Sequence, residues 1–159
     1  MELTPVRISS GIKIQRFFRL LGIAFLIFMS LNLGISTLFE AMGVVFEQPY
    51  LDELSRTELL VTGVGIAPLL ESGLIIGILW LANLIVPRIA ALIIAAVIFG
   101  ALHISPGVHW GVVGTTAILG YLFGYFYYQA LSQKLSGFWF ITILHALNNF
   151  VAFGINGML

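Results

Sequence analysis

The sequence predicts an all-α protein, a polytopic bundle of about five transmembrane helices. Hydrophobic residues make up 60% of the 159-residue chain and charged residues only 9%, which leaves too little polar surface for a soluble domain. The apolar residues also fall into long runs, and a helix needs roughly 20 of them to cross about 30 Å of hydrocarbon. We therefore predict that residues 1–159 form a single integral membrane domain.

Five apolar runs are the predicted membrane spans. The first run follows several basic residues, as a signal peptide would, but its apolar part is too long for one and we interpret it as a retained span. The runs cover residues 17–39, 59–86, 89–105, 110–131 and 138–156.

Charge gives the predicted orientation and excludes some functions. Seven basic and seven acidic residues cancel, so the chain has no basic surface for nucleic acid. Six of the seven basic residues lie on one side of the predicted spans, and the positive-inside rule makes that side cytoplasmic. We expect an inner-membrane protein with its N-terminus in the cytoplasm and its C-terminus outside. The absence of cysteine excludes thiolate nucleophiles and cysteine-ligated metals.

Helix-breaking and small residues add local detail to the spans. Pro68 lies inside the second span and should kink or restart the helix there. The pairs Gly73 with Gly77 and Gly120 with Gly124 have the G-x-x-x-G spacing that lets helix backbones approach closely. We expect both pairs to serve packing within one bundle rather than a dimer interface.

Glu71, His103 and His145 each lie inside a separate apolar run, and Asn149 follows His145 by one helical turn. An ionisable group at membrane depth is costly and is by default a candidate functional residue. His145 and Asn149 share one helix face, and Phe99 shares a face with His103 because the spacing is again four residues. A carboxylate such as Glu71, held away from water, suits a general base that activates a water molecule.

The depth of the two histidines is a geometric test of a shared site. Along ideal helices, His103 lies roughly 21 Å and His145 about 10 Å from the cytoplasmic start of its span. Helix tilt and shifted boundaries must close that gap if the imidazoles meet.

Three segments carry a resemblance to a known family. These segments resemble the three motifs of the CAAX protease and bacteriocin-processing (CPBP/ABI) family. The first is residues 67–77, which contain Glu71, the second is the pair Phe99 with His103, and the third is the pair His145 with Asn149. Its members are glutamic intramembrane endopeptidases, relatives of the prenyl-protein CAAX endopeptidases of the Ras-converting type. We place the family-like core at about residues 59–159, with residues 17–39 as an additional N-terminal span.

The resemblance implies an intramembrane protease, a hydrolase that cleaves a membrane-anchored or lipid-modified protein or peptide. By this resemblance Glu71 and His103 would activate water, and His145 and Asn149 would donate hydrogen bonds to the developing oxyanion. No cofactor or metal is implied. Two histidines and a glutamate could instead bind zinc with an open water position, and that alternative remains at this stage.

One motif departs from the family pattern. The first motif is usually Glu-Glu-x-x-x-Arg, but here Ser72 and Ile76 stand in place of the second glutamate and the arginine. An alternative function is therefore that of a non-catalytic relative, a bacteriocin-immunity or membrane scaffold protein. In addition, single polar residues in a membrane bundle often serve only as interhelical hydrogen bonds.

Overall fold

The computed structural model describes residues 10–43, 54–105 and 108–155, and within these ranges the chain consists of helices and short connections, without strands. Five helices follow one another. They are α1 (Ser10–Ala41), α2 (Arg56–Ala82), α3 (Arg88–Ala101), α4 (Trp110–Ser132) and α5 (Gly137–Ile155). The predicted all-α fold with five helices is confirmed.

Three of these helices, α1, α2 and α5, are long and apolar enough to cross a membrane. Helix α3 has only 14 residues and is shorter than a full crossing requires. Large apolar side chains, among them Trp80, Ile85 and Trp110, are exposed on the outside of the bundle. Such a surface suits lipid rather than water.

The helices begin at residues that the sequence marks. Ser55 caps α2 in a reciprocal capping box with Glu58. Pro87 is the N-cap of α3, and the imidazole of His109 accepts a hydrogen bond from the backbone of Gly111 at the start of α4. The side chains of Ser55 and His109 each accept from a backbone N–H that the first helical turn leaves unpaired, whereas Pro87 makes no side-chain capping bond. Pro106, expected to close the third span, lies outside the described residues.

One end of the bundle collects most of the described basic residues. The ring of Phe17 near the start of α1 lies 5.4 Å from that of Phe140 near the start of α5. The guanidinium of Arg88 at the start of α3 lies 3.7 Å from the ring centre of Tyr128 near the end of α4. Successive helices therefore run in alternating directions. Lys13, Arg16, Arg19, Arg88 and Lys134 lie towards this end, and Arg56 begins α2 at the other.

The two glycine pairs behave differently. A Cβ atom on Gly120 would come within 2.9 Å of Phe99, and one on Gly124 within 2.7 Å of Leu92, so both glycines permit α4 to pack closely on α3. A Cβ atom on Gly73 or Gly77 would meet nothing within 4 Å. The expectation of close packing was therefore right for the pair on α4 and wrong for the pair on α2, whose glycines face open space.

Helix α2 changes its winding at Pro68. Residues Leu59–Ile66 form a π-helix, and an α-helix follows from Ala67 to Ala82. The backbone N–H of Ala67 donates to the carbonyl of Thr62, five residues back, which is the π-helical pattern. The expected restart of the helix near Pro68 thus takes the form of a change from π to α within a continuous helix.

Candidate active site

Glu71 and His145 meet at the contact between α2 and α5. The imidazole Nε2 of His145 lies 3.6 Å from a carboxylate oxygen of Glu71. The His145 side chain is 7% exposed and that of Glu71 is 29% exposed, so the carboxylate is the more accessible of the two. The only acidic side chain expected at membrane depth is therefore paired with an imidazole rather than turned towards lipid.

His103 lies just beyond the last residue of α3, and its ring folds back over the end of the helix. Its Nδ1 is 2.8 Å from the carbonyl oxygen of Phe99, one turn earlier, while its backbone N–H donates to the carbonyl of Gly100. A carbonyl oxygen only accepts, so Nδ1 of His103 carries the hydrogen. The lone pair of Nε2 is then available to accept a proton.

Phe99 stands between the two imidazoles. Its ring centre lies 4.9 Å from that of His103 and 6.3 Å from that of His145, and the side chain is 2% exposed. The ring of Phe123 covers His145 at 4.5 Å. Both imidazoles therefore lie against the single ring of Phe99, although their residues stand at different positions along their helices.

A cleft of about 370 Å³ opens beside these residues, between α2 and the end of α3. Glu71 and His103 both line it, whereas His145 and Asn149 are not among its lining residues. Leu74 and Leu102 also line the cleft and are largely exposed. The cleft therefore opens on the side of the bundle, through an apolar rim. Its lining consists of Glu71, Leu74, Phe99, Leu102, His103 and Ser105.

The side chain of Asn149 makes a hydrogen bond to a backbone carbonyl for which Pro68 has no N–H to donate. In the π-helical pattern the carbonyl of Gly63 would accept from residue 68, but proline has no N–H. The N–H of Ala67 is already used by Thr62. The side-chain amide of Asn149 donates to the Gly63 carbonyl instead, at 2.8 Å. This bond fastens α5 to α2 one turn beyond the contact of His145 with Glu71.

Two further asparagines join this arrangement and were not among the predicted site residues. Asn32 on α1 donates to the side-chain oxygen of Asn148 at 2.6 Å, and Asn148 donates to that of Asn149 at 3.5 Å. Asn148 is 5% exposed. A signal did exist in the sequence, because Asn32 lies alone in an apolar run and Asn148 is adjacent to a candidate residue.

Three buried polar atoms near this contact have no hydrogen-bond partner among the described residues. They are Oγ of Ser72, Oγ1 of Thr142 and Nδ1 of His145. Ser72, at 1% exposure, occupies the core position next to Glu71. Unpaired buried polar groups are rare in a purely structural core and are more common where function has selected the residues.

The zinc alternative would need Glu71, His103 and His145 to converge as three ligands around one point. Within the ranges that the structure describes, no group of three or more histidine, aspartate or glutamate side chains is arranged to hold a metal ion. Glu71 and His145 form a pair, and His103 does not complete a triad of ligands with them.

In the comparison with protein-family models, residues 54–151 match the type II CAAX prenyl endopeptidase Rce1-like family. The matched segment is more than half of the chain and contains all of α2, α3 and α4, together with Glu71, His103, His145 and Asn149. The chain belongs to this family. The predicted CPBP/ABI membership is thereby confirmed. Helix α1 lies outside the segment that matches the Rce1-like family model. No curated protein and no solved structure gives a significant match.

Proposed function

We propose that this Rce1-like chain is a glutamic intramembrane endopeptidase that hydrolyses a peptide bond of a membrane-anchored or lipid-modified protein or peptide. The observation that carries the proposal is that Glu71 and His103 line one cleft while His145 contacts the Glu71 carboxylate at 3.6 Å. Water activation requires a general base, here Glu71, a second proton acceptor, here His103, and a fixed partner for the base, here His145.

In this mechanism the nucleophile is a water molecule held between Glu71 and Nε2 of His103. The carboxylate of Glu71 takes one proton from the water while the water oxygen bonds to the scissile carbonyl carbon. As the C–N bond breaks, Glu71 gives this proton to the amine leaving group and returns to its carboxylate state. Since Nδ1 of His103 is held by the Phe99 carbonyl, the lone pair of Nε2 has a fixed direction.

Oxyanion stabilisation is assigned to His145 and Asn149. Only one N–H of the Asn149 amide is needed for the Gly63 carbonyl, so the other can donate to the developing oxyanion. Oriented donors in a site with little water lower a barrier by several kcal/mol, typically about 3 to 4 for one donor. Neither residue lines the cleft as it stands, so substrate binding must draw the scissile carbonyl inward, past Glu71.

Substrate class and orientation follow from the surroundings of the cleft. Its apolar rim of Leu74 and Leu102 suits a peptide that arrives from the membrane, carrying either a lipid group or a hydrophobic segment. The basic end of the bundle is proposed to face the cytoplasm of an inner membrane, which places the C-terminus outside. No metal or other cofactor is required by this mechanism.

A second candidate function has a specific observation in its favour. The family's second glutamate and arginine are replaced by the buried Ser72 and by Ile76, which packs against the core. Without the arginine as an ion-pair partner for the Glu71 carboxylate, the chain would bind a membrane partner through the same cleft but would not cleave it, as an immunity or scaffold protein would.

The test uses the purified full chain in lipid vesicles with quenched-fluorescence peptides that carry a prenyl group or a hydrophobic anchor. We expect Glu71→Gln and His103→Ala each to lower the turnover rate by about 10²- to 10⁴-fold, because each removes a proton acceptor. Glu58→Gln on the same helix is the matched control, since glutamine also fits the capping box with Ser55. His109→Asn controls for the loss of an imidazole, since asparagine also caps helices.

The outcomes separate the two candidates. Unchanged cleavage in both Glu71→Gln and His103→Ala would rule out the mechanism. Binding of the peptides without cleavage by the wild-type chain, over the whole substrate set, would favour the non-catalytic function.

A further inference from the structure

Helix α1 contributes a polar side chain to the interior of the bundle although it lies outside the segment that the family model matches. Asn32 donates from its amide nitrogen to the side-chain oxygen of Asn148 at 2.6 Å. The two residues are far apart in sequence, so this bond ties α1 to α5 across the bundle. This bond engages the amide nitrogen of Asn32 and the side-chain oxygen of Asn148, which leaves the nitrogen of Asn148 for another partner.

The direction of the amides is defined at α2, where the Gly63 carbonyl can only accept, and the contacts along α5 and α1 agree with it. The side-chain oxygen of Asn148 accepts from Asn32. The side-chain nitrogen of Asn148 therefore faces Asn149, at 3.5 Å from the Asn149 oxygen. The nitrogen of Asn149 in turn donates to the Gly63 carbonyl at 2.8 Å. All three amides therefore donate in the same sense, from α1 through α5 to the π-helical part of α2.

We propose that Asn32 is a positioning residue, which acts through Asn148 to fix the orientation of the Asn149 amide. An amide that turned by half a revolution would present its oxygen to the Gly63 carbonyl, where two acceptors would face each other. The same turn would point an acceptor, not a donor, at a developing oxyanion. The kinetic consequence rests on the proposed function, but the orientation of Asn149 does not.

Two variants interrupt the chain of amides at successive links. Asn32→Leu removes the first donor with a side chain of similar size, and Asn148→Leu removes the middle amide. The control is Asn83→Leu, because Asn83 also joins two helices, through the hydroxyl of Tyr128, at the other end of the bundle. All three remove one interhelical amide, so Asn83→Leu controls for the loss of such a bond, although Asn83 is exposed and Asn148 is buried.

The first readout is the side-chain amide resonance of Asn149 in protein labelled with ¹⁵N-asparagine, identified by its disappearance in Asn149→Asp. We expect Asn32→Leu and Asn148→Leu to shift this resonance in the same direction, and Asn83→Leu to leave it in place. If neither Asn32→Leu nor Asn148→Leu moves it, the proposal is overturned, whether or not the protein cleaves any peptide.

The second readout is kinetic. We expect Asn32→Leu to lower kcat about three- to ten-fold with KM unchanged, as the loss of one hydrogen bond acting at a distance would. Asn32→Leu combined with Asn148→Leu should be no worse than Asn148→Leu alone, because both cut the same chain. A shifted resonance with an unchanged kcat, in a wild type that does cleave, would refute the positioning role. A wild type without activity would instead refute the proposed function and leave the resonance to decide the orientation.

Discussion

The bond from Asn149 to the Gly63 carbonyl predicts an unusual dependence on Pro68. Asn149→Ala should lower the free energy of unfolding by about 1–3 kcal/mol, the usual cost of leaving a buried acceptor unpaired. In a Pro68→Ala background, residue 68 regains a backbone N–H that can reach the Gly63 carbonyl by the π-helical pattern. There the same substitution should cost less than about 1 kcal/mol, because the acceptor has a second donor.

The measurement is a double-mutant cycle in mixed micelles, with helix content followed by circular dichroism as denaturing detergent is added. Pro68→Ala on its own loses some packing of a buried ring, but the cycle subtracts that loss. We expect a coupling of about 1–2 kcal/mol between the two positions. Equal costs of Asn149→Ala in both backgrounds would mean that the Gly63 carbonyl does not depend on Asn149, and the reasoning would fail.

Three further predictions concern packing, the altered motif and metals. Gly120→Ala should destabilise the bundle by about 1–3 kcal/mol because its Cβ would lie 2.9 Å from Phe99, whereas Gly77→Ala should be tolerated, and equal thermal stabilities would contradict the packing on α3. Ser72→Glu alone should destabilise the protein by about 3–5 kcal/mol through an unpaired buried charge, and adding Ile76→Arg should recover part of the loss, which detergent unfolding would measure. Cleavage should persist in a metal chelator, and loss of activity that added zinc restores would revive the zinc alternative.

The helices were predictable because long apolar runs have few other structures available in a membrane. The predicted boundaries are off most at the start of α1, which begins at Ser10 rather than at residue 17, and at the end of α3, predicted at residue 105 but observed at Ala101. The apolar run continues past the end of α3. Its last residues, including His103, line the cleft instead of extending the α-helix. Hydropathy measures how apolar a segment is but not where its hydrogen bonds stop.

Sequence reasoning can place Glu71 and His145 inside the bundle, because ionisable groups avoid lipid. It grouped Glu71 with His103, however, and did not foresee the contact of 3.6 Å between Glu71 and His145. The role of Asn148 does not follow from helix periodicity, because that residue lies off the face shared by His145 and Asn149. Its partner Asn32 comes from α1, and only the crossing of α1 over α5 brings the two together. The π-helical turn before Pro68 was likewise hidden, since proline predicts an interruption but not its form.

The brevity of α3 has a consequence for the membrane itself. At 14 residues it is about 21 Å long, some 9 Å less than a typical hydrocarbon core. A helix that is too short draws the bilayer surface inward, and here the thinned region would lie over His103 and Ser105, at the mouth of the cleft. Lipid tails would then retreat from the place where the proposed hydrolysis needs solvent, and its rate would depend on the acyl chain length of the bilayer.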